Sequence, residues 1–342
     1  MRVLVTGGAG FIGSHFIRTL LQTLPDVEVI NLDKLTYAGN LANLEDVAQD
    51  PRYRFVRGDV ADARLVNGLF RAGLDAVVNF AAETHVDRSI LDGRPFVRTN
   101  VVGTQTLLEA ALRYGIRRFV QVSTDEVYGP APPGVRFSED SPQNPTSPYA
   151  ASKAAADLLC LAYRKTHGLP VVVTRCTNNY GPYQFPEKFI PLVITNALLD
   201  RPIPVYGDGR QERDWLYVLD HCEGLVRVLL HPDPRPVLNL ASGRTVTNLQ
   251  VARTILRLLH KPESLLQHIQ DRPAHDRRYA LDTHRARAYL GWKPRVDLEE
   301  GLERTVAWYR ENRAWWEAVK SGAYRAYYET WYGKVLQATG RM

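Results

Sequence analysis

The sequence predicts an α/β fold in which a doubly wound parallel sheet is joined by a second, smaller lobe. Strand-like runs alternate with helical patterns through the first half of the chain, as in βαβ units. Several of these runs are apolar nearly throughout, which is typical of parallel strands covered by helices on both faces. After about Cys176 the chain changes to long stretches punctuated by Pro and Gly, which indicates a separate, loop-rich lobe.

The predicted elements follow one another in a regular order. The strand-like runs are 2–6, 27–32, 53–57, 75–80, 117–123, 170–176 and 237–242. The first intervening helix has an apolar face formed by Ile12, Phe16, Ile17, Leu20, Leu21 and Leu24. We assign residues 1–177 to the sheet domain, with later segments near 205–245 returning to it. Residues 178–342 are assigned mainly to the smaller lobe and to C-terminal helices.

The end of the chain is helical in pattern and unusually aromatic. Its aromatic residues include Trp308, Trp315, Trp316, Tyr324, Tyr327, Tyr328, Trp331 and Tyr332. This composition favours internal packing or a subunit contact over chemistry.

The composition excludes several classes of protein. A chain of 342 residues with 45% hydrophobic and 23% charged residues can bury one large core or two, so it is not disordered. The net charge of +6 is compatible with nucleic acid, an anionic membrane or a phosphorylated small ligand. The basic residues are scattered and form no stripe interleaved with aromatic side chains, so we expect no nucleic-acid partner.

The cysteines and the apolar runs bear on the compartment. The three cysteines lack any CxxC spacing, so the sequence predicts neither a disulfide framework nor a metal site. The chain opens directly with a strand-like run, and no apolar stretch approaches the ~20 residues that a membrane-spanning helix needs. We therefore expect a cytoplasmic protein with no membrane partner.

A glycine-rich turn stands between the first strand and the first helix. The turn TGGAGFIGS contains Gly7, Gly10 and Gly13. Such glycines allow a tight bend, close approach to a pyrophosphate and close packing of helix on strand.

Asp33 ends the second strand, where an acid can bind the ribose hydroxyls and repel a ribose phosphate. The pattern predicts a Rossmann domain that binds NAD rather than NADP, although the neighbouring Lys34 argues the other way. Asp59 follows the third strand. We interpret it either as a contact to the adenine of the cofactor or as a simple turn residue.

A tyrosine and a lysine are placed to act together on one helix. Tyr149 and Lys153 stand four residues apart in SPYAASKAAADLL and therefore share a face. A nearby ammonium and a nicotinamide positive charge would favour the phenolate of Tyr149. A second match to this spacing, Tyr289 and Lys293, is interrupted by Gly291 and is assigned to structure.

Polar side chains also follow the fifth strand. Thr124, Asp125 and Glu126 come at its carboxyl end, the edge where doubly wound sheets hold their ligands. Thr124 can hydrogen-bond a reacting hydroxyl. Two adjacent carboxyl groups can serve as separate acid and base when their surroundings separate their pKa values.

The chain carries, in this order, the motifs TGGAGFIGS, LDKLTYAGN, AAETHVDRSI, STDEVYG, PYAASKAA, CTNNYGPYQFPEKFIP, GDGRQERDWLYVLDH and DRPAHDRRYALD. With these motifs it resembles the extended short-chain dehydrogenase family over about residues 1–300, and within that family it is most similar to the nucleotide-sugar dehydratases. The Thr-Asp-Glu triplet combined with Tyr and Lys is the most specific part of the resemblance. Sugar-nucleotide epimerases share the cofactor turn and the YxxxK spacing but usually lack the Asp-Glu pair.

The resemblance implies NAD as cofactor, a nucleotide-diphosphate sugar (dTDP-glucose) as substrate, and a homodimer. Tyr149, helped by Thr124 and Lys153, would take the C4 hydroxyl proton while hydride moves from C4 to NAD. Glu126 would remove the C5 proton while Asp125 protonates the departing C6 hydroxyl. Return of the hydride to C6 would complete a lyase reaction that leaves the cofactor unchanged.

The resemblance also assigns binding residues. Cofactor contacts carry over to Phe11, Ile12, Asp33, Lys34, Leu35, Thr36, Asp59, Val60, Ala81, Ala82, Thr99, Tyr149, Lys153 and Asn179. Substrate contacts carry over to Thr84, Thr124, Asn178, Lys188, Phe189, Pro204, Tyr206, Arg213, Asn248, Arg272 and His275. The alternatives are a related dehydratase or epimerase acting on a UDP-sugar, a reductase on the same scaffold, and a non-catalytic dinucleotide sensor.

Overall fold

A seven-stranded parallel sheet lies at the centre of the protein. The computed structural model describes residues 1–233, 235–273 and 275–321. The strands among these residues are β1 (Arg2–Thr6), β2 (Glu28–Asp33), β3 (Tyr53–Arg57), β4 (Ala76–Asn79), β5 (Arg118–Thr124), β6 (Val171–Cys176), β7 (Asn178–Tyr180), β8 (Ile203–Tyr206), β9 (Glu212–Tyr217), β10 (Val237–Leu240), β11 (Thr245–Thr247) and β12 (Leu266–Ile269). The main sheet has the order β10-β6-β5-β4-β1-β2-β3, and its neighbouring strands are all parallel.

Helices cover both faces of the main sheet, and further helices pack on the smaller strands. The helices among the described residues are α1 (Phe11–Thr23), α2 (Ala63–Arg71), α3 (Val86–Leu91), α4 (Arg94–Phe96), α5 (Thr104–Tyr114), α6 (Pro148–His167), α7 (Phe189–Leu198), α8 (Val218–Leu230), α9 (Asn248–Leu258), α10 (His284–Leu290), α11 (Leu298–Glu311) and α12 (Arg313–Val319). The segment Val97–Gly103, between α4 and α5, is a π-helix. Helices α1 and α8 pack on one face of the sheet, and α2, α5 and α6 pack on the other.

Successive side chains of each strand enter two different cores. Val3 and Val5 of β1 lie in the core that contains α1 and α8, whereas Leu4 lies in the core on the opposite face. Alternation of this kind follows from the two-residue repeat of a strand. Both faces are apolar, which explains why the strands read as continuous apolar runs. The predicted fold class, α/β with a doubly wound parallel sheet, is confirmed.

A second group of elements follows β6. Strands β11, β9 and β7 form a small sheet, and β12 pairs with β8. A third core, which includes Tyr180, Trp215 and Trp316, packs α7, α9 and α11 on these strands. Strand β10 joins the main sheet beside β6, as expected for a segment that returns to the first domain, whereas β9 lies in the small sheet. The domain boundaries stay a prediction.

Part of the aromatic end of the chain falls within the described residues. The ring centroid of Tyr183 lies 4.6 Å from that of Trp308 and 5.7 Å from that of Trp315, and Trp316 is buried in the third core. These side chains pack internally. The remaining predicted aromatic residues, Tyr324, Tyr327, Tyr328, Trp331 and Tyr332, lie outside the described residues. Within 1–321, apart from positions 234 and 274, no helix has both the length and the apolarity to span a bilayer.

A buried ion pair joins β6 to α6 and allows a stability prediction. Arg175 Nε lies 2.9 Å from Asp157 Oδ2, and the two side chains are 3% and 0% exposed. The substitution Arg175→Met leaves a buried carboxylate without its partner, so we expect the free energy of unfolding to fall by about 3–5 kcal/mol. Urea unfolding followed by circular dichroism measures this loss.

Arg313 provides a matched control for Arg175. Its pair with Glu317 has a similar N–O distance of 2.8 Å, but the two side chains are 61% and 48% exposed. Solvent screens an exposed pair, so Arg313→Met should lower the free energy of unfolding by less than about 1 kcal/mol. Equal losses in the two variants would contradict the assigned role of burial.

Candidate active site

A cavity of about 280 Å³ lies along the carboxyl edge of the main sheet. It extends from the glycine-rich turn after β1 to Tyr149 and Lys153 on α6. The strand order reverses between β1 and β4, and ligands of doubly wound sheets bind at such a point. The fold therefore places this cavity where a dinucleotide is expected.

The glycine-rich turn is closely packed and opens onto the cavity. Gly7 has a φ of +68°, and a Cβ atom there would lie 2.7 Å from the backbone nitrogen of Ala81. A Cβ on Gly13 would lie 2.4 Å from the carbonyl oxygen of Gly7. Helix α1 has Gly10 as its N-cap, with no side-chain cap, and Phe11 and Ile12 of its first turn line the cavity. This arrangement suits a pyrophosphate, which accepts hydrogen bonds from helix N-terminal amides.

Two acids and a lysine line the first cavity near the ends of β2 and β3. Asp33 accepts hydrogen bonds from the backbone nitrogens of Ala9 and Leu35, at 2.9 and 2.8 Å. Burial raises the pKa of Asp33, and these two hydrogen bonds oppose that rise. Lys34 Nζ lies 2.8 Å from Asp59 Oδ2, so its charge is already paired. The pairing weakens the argument that Lys34 favours a ribose phosphate.

The end of β5 brings a threonine and two carboxyl groups into the cavity. Thr124 caps the short helical turn that follows and accepts a hydrogen bond from the Glu126 nitrogen at 3.2 Å. Its hydroxyl donates to Asp125 Oδ1, also at 3.2 Å. The side-chain oxygen Asp125 Oδ2 is buried and has no hydrogen-bond partner in the described part of the chain.

The surroundings of the two carboxyl groups differ. Burial, together with the charge of Glu126, raises the pKa of Asp125 well above its usual range. Burial also raises the pKa of Glu126, but the positive charges of Arg272, Arg213 and Lys188 oppose that rise. These surroundings favour the proton on Asp125 over Glu126, as an acid and base pair requires.

Tyr149 and Lys153 lie on the buried face of α6. The helix begins at Pro148, after Ser147 has capped it by accepting a hydrogen bond from the Ala150 nitrogen at 3.1 Å. Lys153 Nζ donates to the Val122 carbonyl oxygen at 2.7 Å. Its pKa is lowered by burial.

The protonation of Tyr149 in the protein alone depends mainly on its burial. Burial and the charge of Glu126 raise the pKa of Tyr149 well above its usual value, whereas a hydrogen bond with Thr124 opposes the rise. The pKa rises with burial because low-dielectric surroundings penalise the phenolate. The phenol is therefore the stable form in the protein alone.

A second cavity of about 140 Å³ adjoins the first. The two share five lining residues, namely Thr84, Glu126, Asn178, Glu187 and Lys188. Glu126 therefore lies where the cavities meet. The side-chain oxygens of Asn178 and Asn248, which line the second cavity, are buried without a hydrogen-bond partner among the described residues.

Two arginines line the second cavity. Arg213 is buried and donates to the carbonyl oxygens of Glu212 and Asp276, at 2.8 and 2.9 Å. In the described part of the chain no carboxylate forms an ion pair with Arg213, so its charge is available to an anion such as a diphosphate. Arg272 differs, because its Nη1 atom lies 2.8 Å from Asp87 Oδ1.

The structure brings the predicted site residues together. The predicted catalytic residues Thr124, Asp125, Glu126, Tyr149 and Lys153 all line the first cavity. So do the predicted cofactor residues, with the exception of Leu35. Leu35 has a φ of +55° and contributes its backbone nitrogen to Asp33 instead. The predicted substrate residues line the second cavity, except Thr124, which lines the first. The roles of these residues stay predictions.

Several site residues were not predicted from the sequence. Asp87 accepts a hydrogen bond from the Tyr206 hydroxyl at 3.1 Å in addition to its pair with Arg272. Asn100, in the π-helical segment, donates to Ser152 Oγ at 2.8 Å and accepts from the Glu83 nitrogen at 2.9 Å. These contacts hold the loop after β4 and the cavity wall in place. The only signal in the sequence is that Asp87 lies within the motif AAETHVDRSI.

Comparisons with known proteins show the family of this chain. The family model described as GDP-mannose 4,6 dehydratase matches residues 4–305. A curated dTDP-glucose 4,6-dehydratase from Streptomyces niveus is 56% identical over 325 residues, which are 94% of this chain and 96% of that protein. The chain belongs to this dehydratase family.

Solved structures of family members have the same fold. The crystal structure of DesIV, a dTDP-glucose 4,6-dehydratase from Streptomyces venezuelae with NAD and dTDP bound, matches with a TM-score of 0.91 and 52% identity. That match covers 94% of this chain and 100% of the other. A dTDP-glucose 4,6-dehydratase from Bacillus anthracis in complex with NAD matches with a TM-score of 0.88 and 45% identity, covering 94% of this chain and 100% of that one.

Proposed function

We propose that this protein is an NAD-dependent hydro-lyase that converts dTDP-glucose to dTDP-4-keto-6-deoxyglucose. The observation that carries the proposal is that Asp125 and Glu126 line the first cavity together with Tyr149 and Lys153, with Glu126 at the join of the two cavities. The family relatives described above support both the reaction and the cofactor. A plain dinucleotide sensor would not need this set of acid and base groups.

The residues of the first cavity fit NAD. The closely packed glycine turn leaves room for a pyrophosphate at the N-terminus of α1, and Asp33 offers its carboxylate to ribose hydroxyls. We propose that the lining residues predicted as cofactor contacts hold the dinucleotide there. When bound, NAD supplies a hydride acceptor for C4 of the sugar and a hydride donor for C6.

Tyr149 acts on the C4 hydroxyl of the sugar. The phenolate form of Tyr149 accepts the hydroxyl proton as the C4–H bond breaks, and Thr124 hydrogen-bonds the same hydroxyl. The positive charge of the nicotinamide ring, added to that of Lys153, opposes the burial that raises the pKa of Tyr149. Proton removal is therefore favoured only when the cofactor is in place.

Glu126 and Asp125 carry out the elimination of water. The C4 ketone acidifies C5, and ionised Glu126 accepts the C5 proton. Protonated Asp125 donates its proton to the C6 hydroxyl, the C6–O bond breaks, and water leaves. A proton then returns from Glu126 to C5 as hydride reaches C6. The higher pKa of Asp125, relative to Glu126, supports this division of roles.

Mass spectrometry of the product tests the proposal. Incubation of the purified protein with dTDP-glucose should yield a product lighter by one water, with no net consumption of NAD. An epimerase would leave the mass of the sugar nucleotide unchanged, and a reductase would consume NAD(P)H stoichiometrically. Parallel incubation with UDP-glucose tests which nucleotide the protein prefers. The methyl group that distinguishes thymine from uracil gives only about 1–3 kcal/mol of discrimination.

We also propose that the protein is a cytoplasmic homodimer. The outward face of α6 is apolar at Ala151, Leu158 and Ala162, and Leu158 is 59% exposed. Val97, on the π-helical segment, is 54% exposed. A second copy of the chain would cover these side chains, and sedimentation of the purified protein tests that assembly. The three cysteines are buried and unpaired, which fits a reducing compartment.

A further inference from the structure

Three side chains from separate segments meet beside the cofactor cavity. They are Tyr37, in the loop after β2; Arg88, on α3; and Glu187, in the loop before α7. Arg88 Nε lies 3.0 Å from Glu187 Oε2, and the Arg88 guanidinium lies 3.9 Å from the centroid of the Tyr37 ring. We refer to these three residues as the Arg88 cluster.

The contacts of the Arg88 cluster are substantially shielded from solvent. The Glu187 side chain is 1% exposed and that of Arg88 is 24% exposed. The Tyr37 ring also makes an edge contact with Phe185, at 5.4 Å between centroids. An ion pair and a cation–π contact are both stronger in such surroundings than at a fully exposed surface.

The Arg88 cluster connects two loops that line the same cavity. The loop after β2 contributes Thr36, Ala38 and Gly39 to the lining of the first cavity, and the loop before α7 contributes Gln184, Phe185, Glu187 and Lys188. Tyr37 and Arg88 are not among the lining residues of either cavity. They are therefore placed to hold the loops together without touching the reacting atoms.

We propose that the Arg88 cluster holds these two loops against the bound dinucleotide and sets the rate at which the cofactor is released. The inference rests on the proposed function, in which a hydride is removed from the sugar and then returned to it. If the reduced cofactor left between those steps, the sugar would remain as a keto intermediate and the protein would need fresh NAD. Slow release is thus a requirement of that reaction, and Tyr37 and Arg88 are positioning residues for it.

The test measures cofactor release separately from turnover. The full-length protein is loaded with isotope-labelled NAD, mixed with excess unlabelled NAD, and sampled over time for retained label. Arg88→Met removes the ion pair and the cation–π contact together, and we expect release at least about 10-fold faster, equivalent to about 1.4 kcal/mol. Tyr37→Leu removes the cation–π contact and the hydrogen bond between Tyr37 and Glu187 but keeps the ion pair, and we expect a smaller acceleration in the same direction.

Arg94→Met is the matched control. Arg94 Nε pairs with Asp92 Oδ1 at the same distance of 3.0 Å, close to α3 in sequence, but its side chain is 92% exposed. Its removal should leave the release rate unchanged. A second readout is free NADH in the solution during turnover of dTDP-glucose, which should increase in the Arg88 and Tyr37 variants and not in the control.

The outcomes separate this inference from the proposed function. Folded Arg88→Met and Tyr37→Leu proteins that release NAD at the unmodified rate would overturn the role of the cluster, as would equal acceleration by Arg94→Met. If Arg88→Met does not fold, the release rate of Tyr37→Leu decides. If the unmodified protein retains no NAD, both the proposed function and this inference are overturned. If the unmodified protein retains NAD and turns over normally, and the variants release NAD at the same rate, only this inference is overturned.

Discussion

Replacement of Tyr149 by Phe should slow the first hydride transfer by about 10²-fold or more, the usual size of a general base contribution. The substitution removes the phenolic oxygen that accepts the C4 hydroxyl proton and leaves the ring and its packing against Phe96 in place. Transient NADH absorbance after rapid mixing with dTDP-glucose measures this step directly, before later steps contribute.

The pH dependence of the same step gives a second readout. Burial and Glu126 raise the pKa of Tyr149, so the reactive phenolate becomes more populated as the pH rises toward that pKa. The unmodified protein should therefore transfer hydride faster at higher pH, and the variant should lose this dependence. Tyr289→Phe is the matched control, because Tyr289 has the same YxxxK spacing but lines neither cavity. An unchanged NADH transient in Tyr149→Phe would remove Tyr149 from the mechanism.

Replacement of Glu126 by Gln should prevent exchange of the C5 hydrogen with deuterium from the solvent, with a loss of about 10²-fold or more in its rate. The amide has nearly the shape of the carboxylate but cannot accept the C5 proton. Some NADH should still form, because oxidation at C4 precedes the step that Glu126 performs. Proton NMR of the sugar in deuterated water, recorded beside NADH absorbance, follows the two steps independently.

Glu299 provides the control for Glu126. It is also one of two adjacent acids, but it lies at the start of α11 with a side chain that is 58% exposed. Glu299→Gln should leave both the exchange at C5 and the NADH transient unaltered. Exchange at the unmodified rate in Glu126→Gln would show that another group is the base.

Much of the fold was predictable because its determinants are local. The apolar runs match β1–β6 and β10 to within about two residues, since a strand buried on both faces has few alternatives. The glycine turn, Asp33 and the pair on α6 were also predictable, because each depends on spacing within one βα unit. The triplet after β5 follows from its position at a strand end.

The remaining features depend on contacts between distant parts of the chain. The pair of Arg88 with Glu187 joins residues 99 positions apart, and that of Arg272 with Asp87 joins residues 185 positions apart. No spacing rule indicates either pair. The pKa of Tyr149 is a tertiary property as well, because it depends on burial and on Glu126. The sequence therefore indicated which groups are present but not which protonation state the folded protein favours.

The central claim is that one hydride leaves C4 and returns to C6 of the same sugar within one protein. The most direct measurement uses dTDP-glucose labelled with tritium at C4 and follows the label after complete conversion. The account predicts that the tritium appears in the C6 methyl group of the product. Tritium recovered in free NADH or in water, with an unlabelled methyl group, would contradict it.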